Sequence, residues 1–255
     1  KHCFENYILF LFNDYKVIYM KLEGQIAIVT GGGRGIGRGI CLALAKEGAD
    51  IVIVSRTKNE IQETANMIEN EGRKALSVRT DIRKEEEVIG MISKAVKAFG
   101  RIDILVNNAG VAYRKYLIDT STEEYNKIMD TNVKGMFLCT KYALPYLLER
   151  GEGRIINMSS GAGKHGIAKL SIYSASKFAV IGFTESLAQE AGDRLKVYAV
   201  CPAGVDTGMY RSMYPDEPVL KPEEVAEKVL ELCLPEKAFL SGSSIEVYRR
   251  PPRIF

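Results

Sequence analysis

The sequence predicts an α/β domain with one open, doubly wound parallel sheet of about seven strands and helices on both faces. Three observations lead to this prediction: short apolar runs rich in β-branched residues, longer stretches with helical spacing, and a regular alternation of the two from residue 24 onward. Runs that are apolar throughout are typical of strands buried on both faces of a parallel sheet. Their alternation with helices indicates βαβ units with right-handed crossovers.

Seven segments carry the strand pattern, and turn signals set their limits. The first, QIAIVT, is β-branched and runs directly into glycines, and the last, SIEVY, is the shortest. β-Branched and aromatic residues favour strands because they pack well on a pleated surface. The predicted strands span 25–30, 50–55, 74–80, 102–107, 153–159, 194–200 and 244–248.

The stretches between these strands show helical spacing and helix-end signals. In residues 36–49 apolar side chains recur every three or four positions, which places them on one helix face. Residues 58–72 form a second helical stretch that a glycine stops. Ser121 and Glu124 have the spacing of a capping box, and Pro222 suits the first turn of a late helix.

Composition limits the classes of function. Of 255 residues, 46% are hydrophobic and 26% are charged, and the formal net charge is +3, which is ordinary for a soluble globular protein. The basic residues are not clustered, so no nucleic-acid surface is predicted. Two histidines and the lack of a CxxC pair argue against a metal site. Five scattered cysteines indicate reduced thiols and a cytoplasmic protein: Cys3, Cys41, Cys139, Cys201 and Cys233.

The first nineteen residues differ from the rest. Their apolar run at 7–12 falls far short of the roughly 20 residues that span a bilayer. An acid stands where a signal peptide would be basic. Met20 begins a stretch that reads like a natural protein start. We therefore expect 1–19 to be an N-terminal extension of unknown role with no membrane anchor, and 20–255 to form one domain.

A glycine-rich loop joins the first predicted strand to the first predicted helix. Its sequence, IVTGGGRGIGRGI, covers residues 28–40, and its place inside a βαβ unit indicates a dinucleotide site. Free backbone amides at the helix N-terminus would hold the pyrophosphate, while glycines allow the tight turn and the close approach of phosphate. The placement favours this interpretation over a flexible turn that binds nothing.

The end of the second strand suggests which dinucleotide binds. It reads Ser55, Arg56, Thr57, Lys58, with no carboxylate, whereas strands that select NAD usually end in Asp or Glu. Arg56 can form forked, charge-assisted hydrogen bonds to a 2′-phosphate, and Arg34 in the glycine loop adds a second cation. The sequence therefore predicts a preference for NADP(H), with NAD(H) as the alternative if both arginines are merely solvated.

Four motifs occur in order along the chain: the glycine loop, LVNNAG at 105–110, IINMSS at 155–160 and YSASK at 173–177. With them the chain resembles the short-chain dehydrogenase/reductase family over about residues 22–248. Within the family it looks most like the 3-oxoacyl-(acyl-carrier-protein) reductase and carbonyl reductase group. The resemblance implies a Rossmann-type fold, nicotinamide-dependent hydride transfer between a carbonyl and a secondary alcohol, and a homotetramer or homodimer.

The resemblance also implies a set of cofactor contacts. Thr30 and the loop glycines would hold phosphate, Asp81 would bond the adenine amine, and the LVNNAG segment would line the adenosine ribose and support the sheet. The loop after the sixth strand would touch the nicotinamide, although Ala203 stands where the family usually has glycine. The implied cofactor-binding residues are Thr30, Gly31, Arg34, Gly35, Ile36, Gly37, Ser55, Arg56, Asp81, Ile82, Asn107, Ala109, Gly110, Tyr173, Lys177, Pro202, Gly204, Val205 and Thr207.

The predicted proton-transfer group centres on YSASK. Tyr173 and Lys177 lie at i and i+4 of a predicted helix and project from one face. The ammonium, with the positive ring of an oxidised cofactor, would lower the phenol pKa toward the range useful for acid–base work. Ser160, thirteen positions upstream, could hydrogen-bond the substrate oxygen. By resemblance, Lys177 also holds the nicotinamide ribose, and Asn132 anchors a water that resupplies the proton.

The substrate and partners are less constrained. Segment 208–221 is predicted as a lid, and its Met and Tyr side chains suggest a partly hydrophobic carbonyl compound, with a 3-oxoacyl thioester as one candidate. His165 is expected at the substrate mouth. Two alternatives stay open: an NAD-dependent alcohol dehydrogenase of the same family, and a non-catalytic NADP(H)-binding regulator. An acidic acyl carrier protein also stays open as a partner of four surface cations, Arg114, Lys115, Lys164 and Lys169.

Overall fold

One seven-stranded sheet organises the protein. The computed structural model describes residues 20–149, 151–214, 220–234 and 239–249, so the predicted extension at 1–19 and part of the predicted lid lie outside the described residues. The strands are β1 Ile26–Thr30, β2 Asp50–Ser55, β3 Ala75–Arg79, β4 Ile104–Asn107, β5 Gly153–Met158, β6 Leu195–Pro202 and β7 Ser244–Val247. All pair in parallel in the order β3-β2-β1-β4-β5-β6-β7, which confirms the predicted sheet.

The helices of the described residues follow the predicted pattern closely. They are α1 Gly35–Lys46, α2 Lys58–Asn70, α3 Glu85–Phe99, α4 Thr122–Met129, α5 Gly135–Glu149, α6 Ser171–Ala191, α7 Gly208–Arg211 and α8 Pro222–Cys233. The first helix ends before its predicted limit because Gly48 adopts a φ of 100°, a left-handed conformation that stops a helix. The Ser121–Glu124 capping box and the helix-starting Pro222 are confirmed.

Each face of the sheet has its own apolar core, because successive strand residues point to opposite sides. On one face Val29 and Ile53 pack with α1, α2 and α8, and on the other Ile28 and Val52 pack with α3, α5 and α6. All four side chains are fully buried. Burying a side chain of this size contributes about 1.5–3 kcal/mol. Burial on both faces explains why the strands are apolar throughout rather than alternating.

The sheet topology places a crevice at the carboxyl ends of β1 and β4. From β1 the chain builds outward to β3, then returns to start β4 on the other side of β1. The loops after β1 and β4 therefore diverge, and ligands of open α/β sheets bind at such a point. Within the described part of the chain, no helix is long and apolar enough to cross a bilayer.

Candidate active site

A cavity of about 800 Å³ opens at this crevice, and its volume suits a cofactor or another small molecule. It brings together most of the predicted site residues from separate loops. The side chains of Thr30, Asn107 and Asn132 are exceptions that lie behind the wall. The predicted residues that line the cavity are Gly31, Arg34, Gly35, Ile36, Gly37, Ser55, Arg56, Asp81, Ile82, Ala109, Gly110, Ser160, Tyr173, Lys177, Pro202, Gly204, Val205 and Thr207.

The glycine loop presents an open helix end to the cavity. α1 begins at Gly35, no side chain caps it, and its first turn carries no acid. Its first amides and the positive end of its dipole are therefore left for an anion. Gly31 has a φ of 66°, which favours glycine. A Cβ on Gly37 would overlap the carbonyl oxygen of Gly31, so the close contact between these two residues also requires glycine at position 37.

Thr30 and Asn108 hold the glycine loop against β4. The Thr30 hydroxyl accepts hydrogen bonds from the N–H groups of Asn108 at 3.0 Å and Ala109 at 3.1 Å. The Asn108 amide donates to the carbonyl oxygens of Thr30 at 2.9 Å and Gly31 at 3.3 Å. Thr30 therefore supports the loop without forming the cavity surface. Asn108 lines the cavity but is absent from the predicted set; its signal is its position directly after a strand end.

Asn107 belongs to the segment predicted to line the ribose and support the sheet, and its side chain lies away from the cavity, where it supports the sheet. Its amide donates to Thr140 Oγ1 at 3.0 Å and to Asn157 Oδ1 at 2.8 Å. Asn157 in turn donates to Thr184 Oγ1 at 3.0 Å, so these buried groups tie β4 and β5 to α5 and α6. The alternation of side chains along a strand sends Asn107 inward and leaves its neighbour to contact the loop.

Charged side chains surround the end of the cavity beside β2 and β3. Arg34 and Arg56, predicted to select a phosphate, both line it and are exposed. Asp81 is held by Arg83, with Nη2 and Oδ2 2.5 Å apart, and these bonds lower the pKa of Asp81. Asp81 therefore has few lone pairs left for an adenine amine. Arg83 and Glu60, which lies 3.4 Å from Arg34, line the cavity without having been predicted.

Ser160 and Tyr173 meet at the other end of the cavity. Ser160 follows β5, Tyr173 lies in the first turn of α6, and both side chains line the cavity, with the serine hydroxyl close enough to lower the pKa of the phenol. The Ser160 hydroxyl also accepts from the N–H of Ala162 at 3.2 Å. Ser159 is buried and donates to the carbonyl oxygen of Lys177 at 2.8 Å. The geometry thus places Ser160, and not its neighbour, beside the tyrosine, as the spacing predicts.

Lys177 is almost fully buried one turn after Tyr173. Its Nζ donates to the carbonyl oxygen of Met158 at 2.7 Å and lies 5.6 Å from the centre of the Tyr173 ring. Burial lowers the pKa of Lys177 to about 8, because the charged ammonium is desolvated. The side chain still carries its proton at neutral pH and loses it as the pH rises through about 8.

In the protein alone the pKa of the Tyr173 phenol is raised, whereas the sequence predicts a lowered pKa beside the ammonium and an oxidised cofactor. Burial raises the pKa of Tyr173, and the Ser160 hydroxyl opposes this without cancelling it. The predicted lowering of this pKa relies on the ammonium together with the positive ring of an oxidised cofactor, so it stays a prediction for the cofactor-bound site, whereas in the protein alone desolvation raises the pKa. A raised pKa keeps the phenol protonated at neutral pH, which is the form that a proton donor needs.

Asn132 lies in a short π-helical segment between α4 and α5. Both amide hydrogens are used, on the Val111 carbonyl oxygen and on Ser176 Oγ, each at 3.0 Å, and Oδ1 accepts from the Val111 N–H at 2.8 Å. A Cβ on Gly110 would lie 3.3 Å from Asn132 Oδ1 and 3.6 Å from Lys177 Nζ, so the two side chains flank one glycine. Asn132 therefore fixes the loop after β4 against α6 beside the lysine.

The loop after β6 runs beside the end of β7, and Tyr248, the residue that follows β7, lines the cavity. Ala203, which replaces a glycine usual in the family, donates its N–H to the Val247 carbonyl oxygen at 3.1 Å and extends the pairing of the two strands. Tyr248 lines the cavity, and its hydroxyl would lie 3.3 Å from a Cβ on Gly161, the residue after Ser160. Tyr248 is absent from the predicted set because its only sequence signal is the end of the last strand.

The described part of the lid is aromatic and apolar. The Thr207 hydroxyl accepts from the N–H of Tyr210 at 3.2 Å and starts α7. The Tyr210 ring packs on the Gly204 backbone and stacks on Tyr214, with ring centres 5.0 Å apart. This end of the cavity is also lined by His165, as predicted, and by Ile167, Leu170, Met209 and Met213.

The four cations considered as a carrier-protein surface each contact a neighbour in the chain. As a result, their charges are partly engaged within the molecule. Arg114 lies over the ring of Tyr214 at 4.5 Å, Lys115 pairs with Glu124 at 2.6 Å, Lys164 donates to Ser244 at 2.6 Å, and Lys169 lies over the ring of Tyr116 at 4.4 Å.

The cysteines of the described residues are free and buried: Cys41, Cys139, Cys201 and Cys233. Burial raises the pKa of each thiol, so they stay protonated and are poor nucleophiles. In the described ranges, no group of three or more His, Cys, Asp or Glu side chains is arranged to hold a metal ion.

Comparison with known proteins gives consistent matches over most of the chain. A family model described as short chain dehydrogenase matches residues 25–218. An uncharacterized oxidoreductase of Thermotoga maritima is 36% identical over 246 residues, which cover 89% of this chain and 97% of that protein. The ketoacyl reductase HetN of Nostoc sp. is 38% identical over 190 residues, which cover 74% of this chain and 66% of that protein.

A solved structure shows the same architecture. The 3-ketoacyl-(acyl-carrier-protein) reductase from Brucella melitensis, complexed with NADH, superposes with a TM-score of 0.82 at 34% sequence identity. The match covers 89% of this chain and 97% of that one. The agreement therefore extends over nearly the whole described fold.

Proposed function

Because the chain belongs to the short-chain dehydrogenase family, whose members are oxidoreductases that bind nicotinamide cofactors, we propose that it transfers a hydride between NADP(H) and a carbonyl or secondary-alcohol substrate. One observation carries this proposal. The side chains of Ser160 and Tyr173, with Lys177 buried one turn after the tyrosine, share one cavity with the open glycine loop. Such a cavity can hold a dinucleotide and, at its far end, a substrate oxygen.

The residues present fit a nicotinamide dinucleotide. The uncapped amides of α1 and the glycine cradle beside them suit a pyrophosphate, which a Cβ on Gly37 would obstruct. Arg34 and Arg56 would hold the 2′-phosphate, and Ala109 and Gly110 would line the ribose next to the loop. When bound, the cofactor supplies or accepts the hydride.

The chain's own residues manage the proton. Tyr173 holds at its hydroxyl the proton that the substrate oxygen takes up on reduction, and its raised pKa keeps that proton in place at neutral pH. Ser160 lies within hydrogen-bond reach of Tyr173, so both hydroxyls can address one substrate oxygen as charge develops there. The Lys177 ammonium stabilises the phenolate that remains. Asn132 is proposed to anchor the water that resupplies the proton. Because both hydrogens of its side-chain amide are used, the water would bind to its side-chain or backbone carbonyl oxygen.

The walls around this centre favour a partly hydrophobic carbonyl substrate. Aromatic and apolar side chains of α7 and of the loop before α6 face the cavity beside Tyr173. Two relatives are named as ketoacyl reductases, which supports 3-oxoacyl thioesters as candidates. A panel of such thioesters, diketones, ketoses and aromatic aldehydes, with NADPH oxidation as the readout, tests the proposal. Rapid oxidation with at least one class is expected.

Two other functions give different outcomes when the panel is extended with NADH and with the matching secondary alcohols plus NAD or NADP. An NAD-dependent alcohol dehydrogenase would oxidise secondary alcohols with NAD in preference to NADP. The NADH bound to the similar Brucella reductase is the observation that favours this alternative. A non-catalytic regulator would bind NADPH and oxidise it with no carbonyl of the panel. The presence of Ser160, Tyr173 and Lys177 together on one cavity wall supports catalysis over regulation.

Replacing Arg56 with Ala is expected to weaken NADPH binding by about tenfold, because an exposed charge-assisted bond to the 2′-phosphate is lost. NADH affinity should change by less than about twofold, since NADH lacks that phosphate. Fluorescence titration of both cofactors measures this. Lys58→Ala is the matched control: it removes the same charge from an exposed position two residues away that does not line the cavity. Unchanged NADPH affinity in Arg56→Ala would reject the phosphate contact.

We also propose a homo-oligomer and a cytoplasmic location. Phe137 on α5 and Phe178 on α6 are 44% and 47% exposed, which suits burial against a second copy. Light scattering of the purified protein tests this, and a monomer at micromolar concentration would contradict it. The free buried cysteines support a reducing compartment, which cell fractionation can check.

A further inference from the structure

Glu60 places a carboxylate on the cavity wall where the proposed phosphate contacts lie. It stands in the first turn of α2 and lines the cavity together with Arg34 and Arg56. The start of α2 packs tightly on the glycine loop: a Cβ on Gly33 would lie 2.8 Å from Glu60 Cβ and 3.2 Å from its carbonyl carbon. The backbone of Glu60 is therefore fixed close to the loop that would hold the dinucleotide.

The contact between Glu60 and Arg34 is loose compared with the next pair along the same helices. Arg34 Nη1 lies 3.4 Å from Glu60 Oε1, and the Arg34 side chain is 79% exposed. Arg38, by contrast, donates to the Gly33 carbonyl oxygen at 2.7 Å and to Glu63 at 2.8 Å, and is 24% exposed. A single exposed contact of this kind contributes little, so Arg34 can leave Glu60 for a stronger anion.

The 2′-phosphate distinguishes NADPH from NADH, and a phosphate monoester carries about −1.5 to −2 charges at neutral pH. Arg56 makes no ion pair within 4 Å with a carboxylate in the described part of the chain, although its charge acts on nearby Asp81, so it is available to attract this group. Arg34 must first give up Glu60. The carboxylate left behind has the same sign as the phosphate and repels it. A unit charge at roughly 4 Å in water changes an affinity by about fivefold.

We propose that Glu60 is a specificity-determining residue that weakens the preference of this cavity for NADPH, so that the chain uses both NADPH and NADH. The proposal rests on the nicotinamide-dependent function proposed above. It adds to that function a residue outside the phosphate-binding arginines themselves. Glu60 acts through its charge: the carboxylate repels the 2′-phosphate, while its loose contact with Arg34 contributes only a small competing interaction.

The test is Glu60→Gln, which keeps the shape of the side chain and removes its charge. We expect NADPH to bind about fivefold more tightly at low ionic strength, and this gain to shrink in high salt because exposed charges are screened. NADH affinity should stay within about twofold, which also shows that the variant is folded. Glu63→Gln is the matched control, since Glu63 lies three residues after Glu60 on α2 and pairs with Arg38. It should leave both affinities unchanged.

Each other outcome overturns the proposal in a distinct way. Weaker NADPH binding in Glu60→Gln would mean that the carboxylate positions Arg34 for the phosphate. Equal NADPH binding in Glu60→Gln and the unsubstituted protein would mean that Glu60 takes no part in selection, while the proposed function stands. Failure of the unsubstituted protein to bind either cofactor would overturn the proposed function and the role of Glu60 together.

Discussion

Replacing Tyr173 with Phe is expected to lower the turnover number by about 10²–10⁴-fold, the usual contribution of a positioned proton donor. The substitution removes the hydroxyl that lies beside Ser160 in the cavity and that is proposed to hold the proton for the substrate oxygen. The ring and its packing remain, so NADPH affinity should stay within about twofold. Steady-state kinetics and cofactor titration on the same preparation separate the two effects.

Tyr198→Phe is the matched control for this experiment. Its hydroxyl is also enclosed by the protein, where it donates to the carbonyl oxygen of Phe239 at 3.1 Å, but Tyr198 does not line the cavity. That variant should lose about 1 kcal/mol of stability at most and keep its turnover number. Near-normal turnover in Tyr173→Phe would reject the tyrosine as the proton donor.

Replacing Gly37 with Ala is expected to weaken NADPH binding by about 100-fold and to lower the melting temperature. The added Cβ would overlap the carbonyl oxygen of Gly31, which is backbone and cannot move aside by changing a rotamer. Forcing an atom into a packed site typically costs about 1–3 kcal/mol, and here the strain falls on the turn that would hold the pyrophosphate. Cofactor titration and thermal unfolding measure both consequences.

Gly39→Ala provides the control within the same helix. A Cβ on Gly39 would lie 3.4 Å from the Cβ of Ala226, an ordinary packing distance. Alanine is favoured over glycine in a helix by about 1 kcal/mol, so this variant should be at least as stable as the unsubstituted protein. It should also bind NADPH normally. If Gly37→Ala binds NADPH as well as Gly39→Ala does, the close approach in the glycine loop is not needed for binding.

Much of the fold could be predicted because its signals are local. Strands buried on both faces must be apolar, and this rule identifies the five inner strands from short runs such as QIAIVT, whereas the edge strands β3 and β7 are only partly buried and include polar residues. The capping box at Ser121 and the proline at 222 mark helix starts for reasons confined to one turn. The end of the first helix was harder to predict, since Gly48 stops it within a segment whose spacing still reads as helical.

The directions of side chains at the site were less predictable. Asn107 and Asn108 are adjacent asparagines at the end of the same strand, yet one bonds Thr140 of α5 and the other holds the glycine loop. Which one faces the cavity depends on the register of β4 between its neighbours, which one sequence does not show. Asn132 is a similar case, because a π-helical segment decides where its amide points.

Long-range contacts account for the remaining differences. Glu60 and Arg83 enter the site only because α2 packs on the glycine loop and the turn after β3 folds back on Asp81. The direction of the Tyr173 pKa depends on burial, which spacing along a helix cannot reveal. The spacing of Tyr173 and Lys177 therefore predicted which residues meet, while the folded structure was needed to show which protonation state each holds.

The most direct test of the proposed function is to trace the hydrogen that the cofactor transfers into the product. NADPH carrying deuterium at the transferable position of the nicotinamide is incubated with the protein and a carbonyl substrate from the panel, and the product is analysed by mass spectrometry and NMR. We expect deuterium on the carbinol carbon of the product, and at least about 100-fold slower labelling with Tyr173→Phe. If the protein binds NADPH yet transfers no hydrogen to any carbonyl, and none from the matching alcohols to NADP⁺, it is a binding protein and not the reductase proposed above.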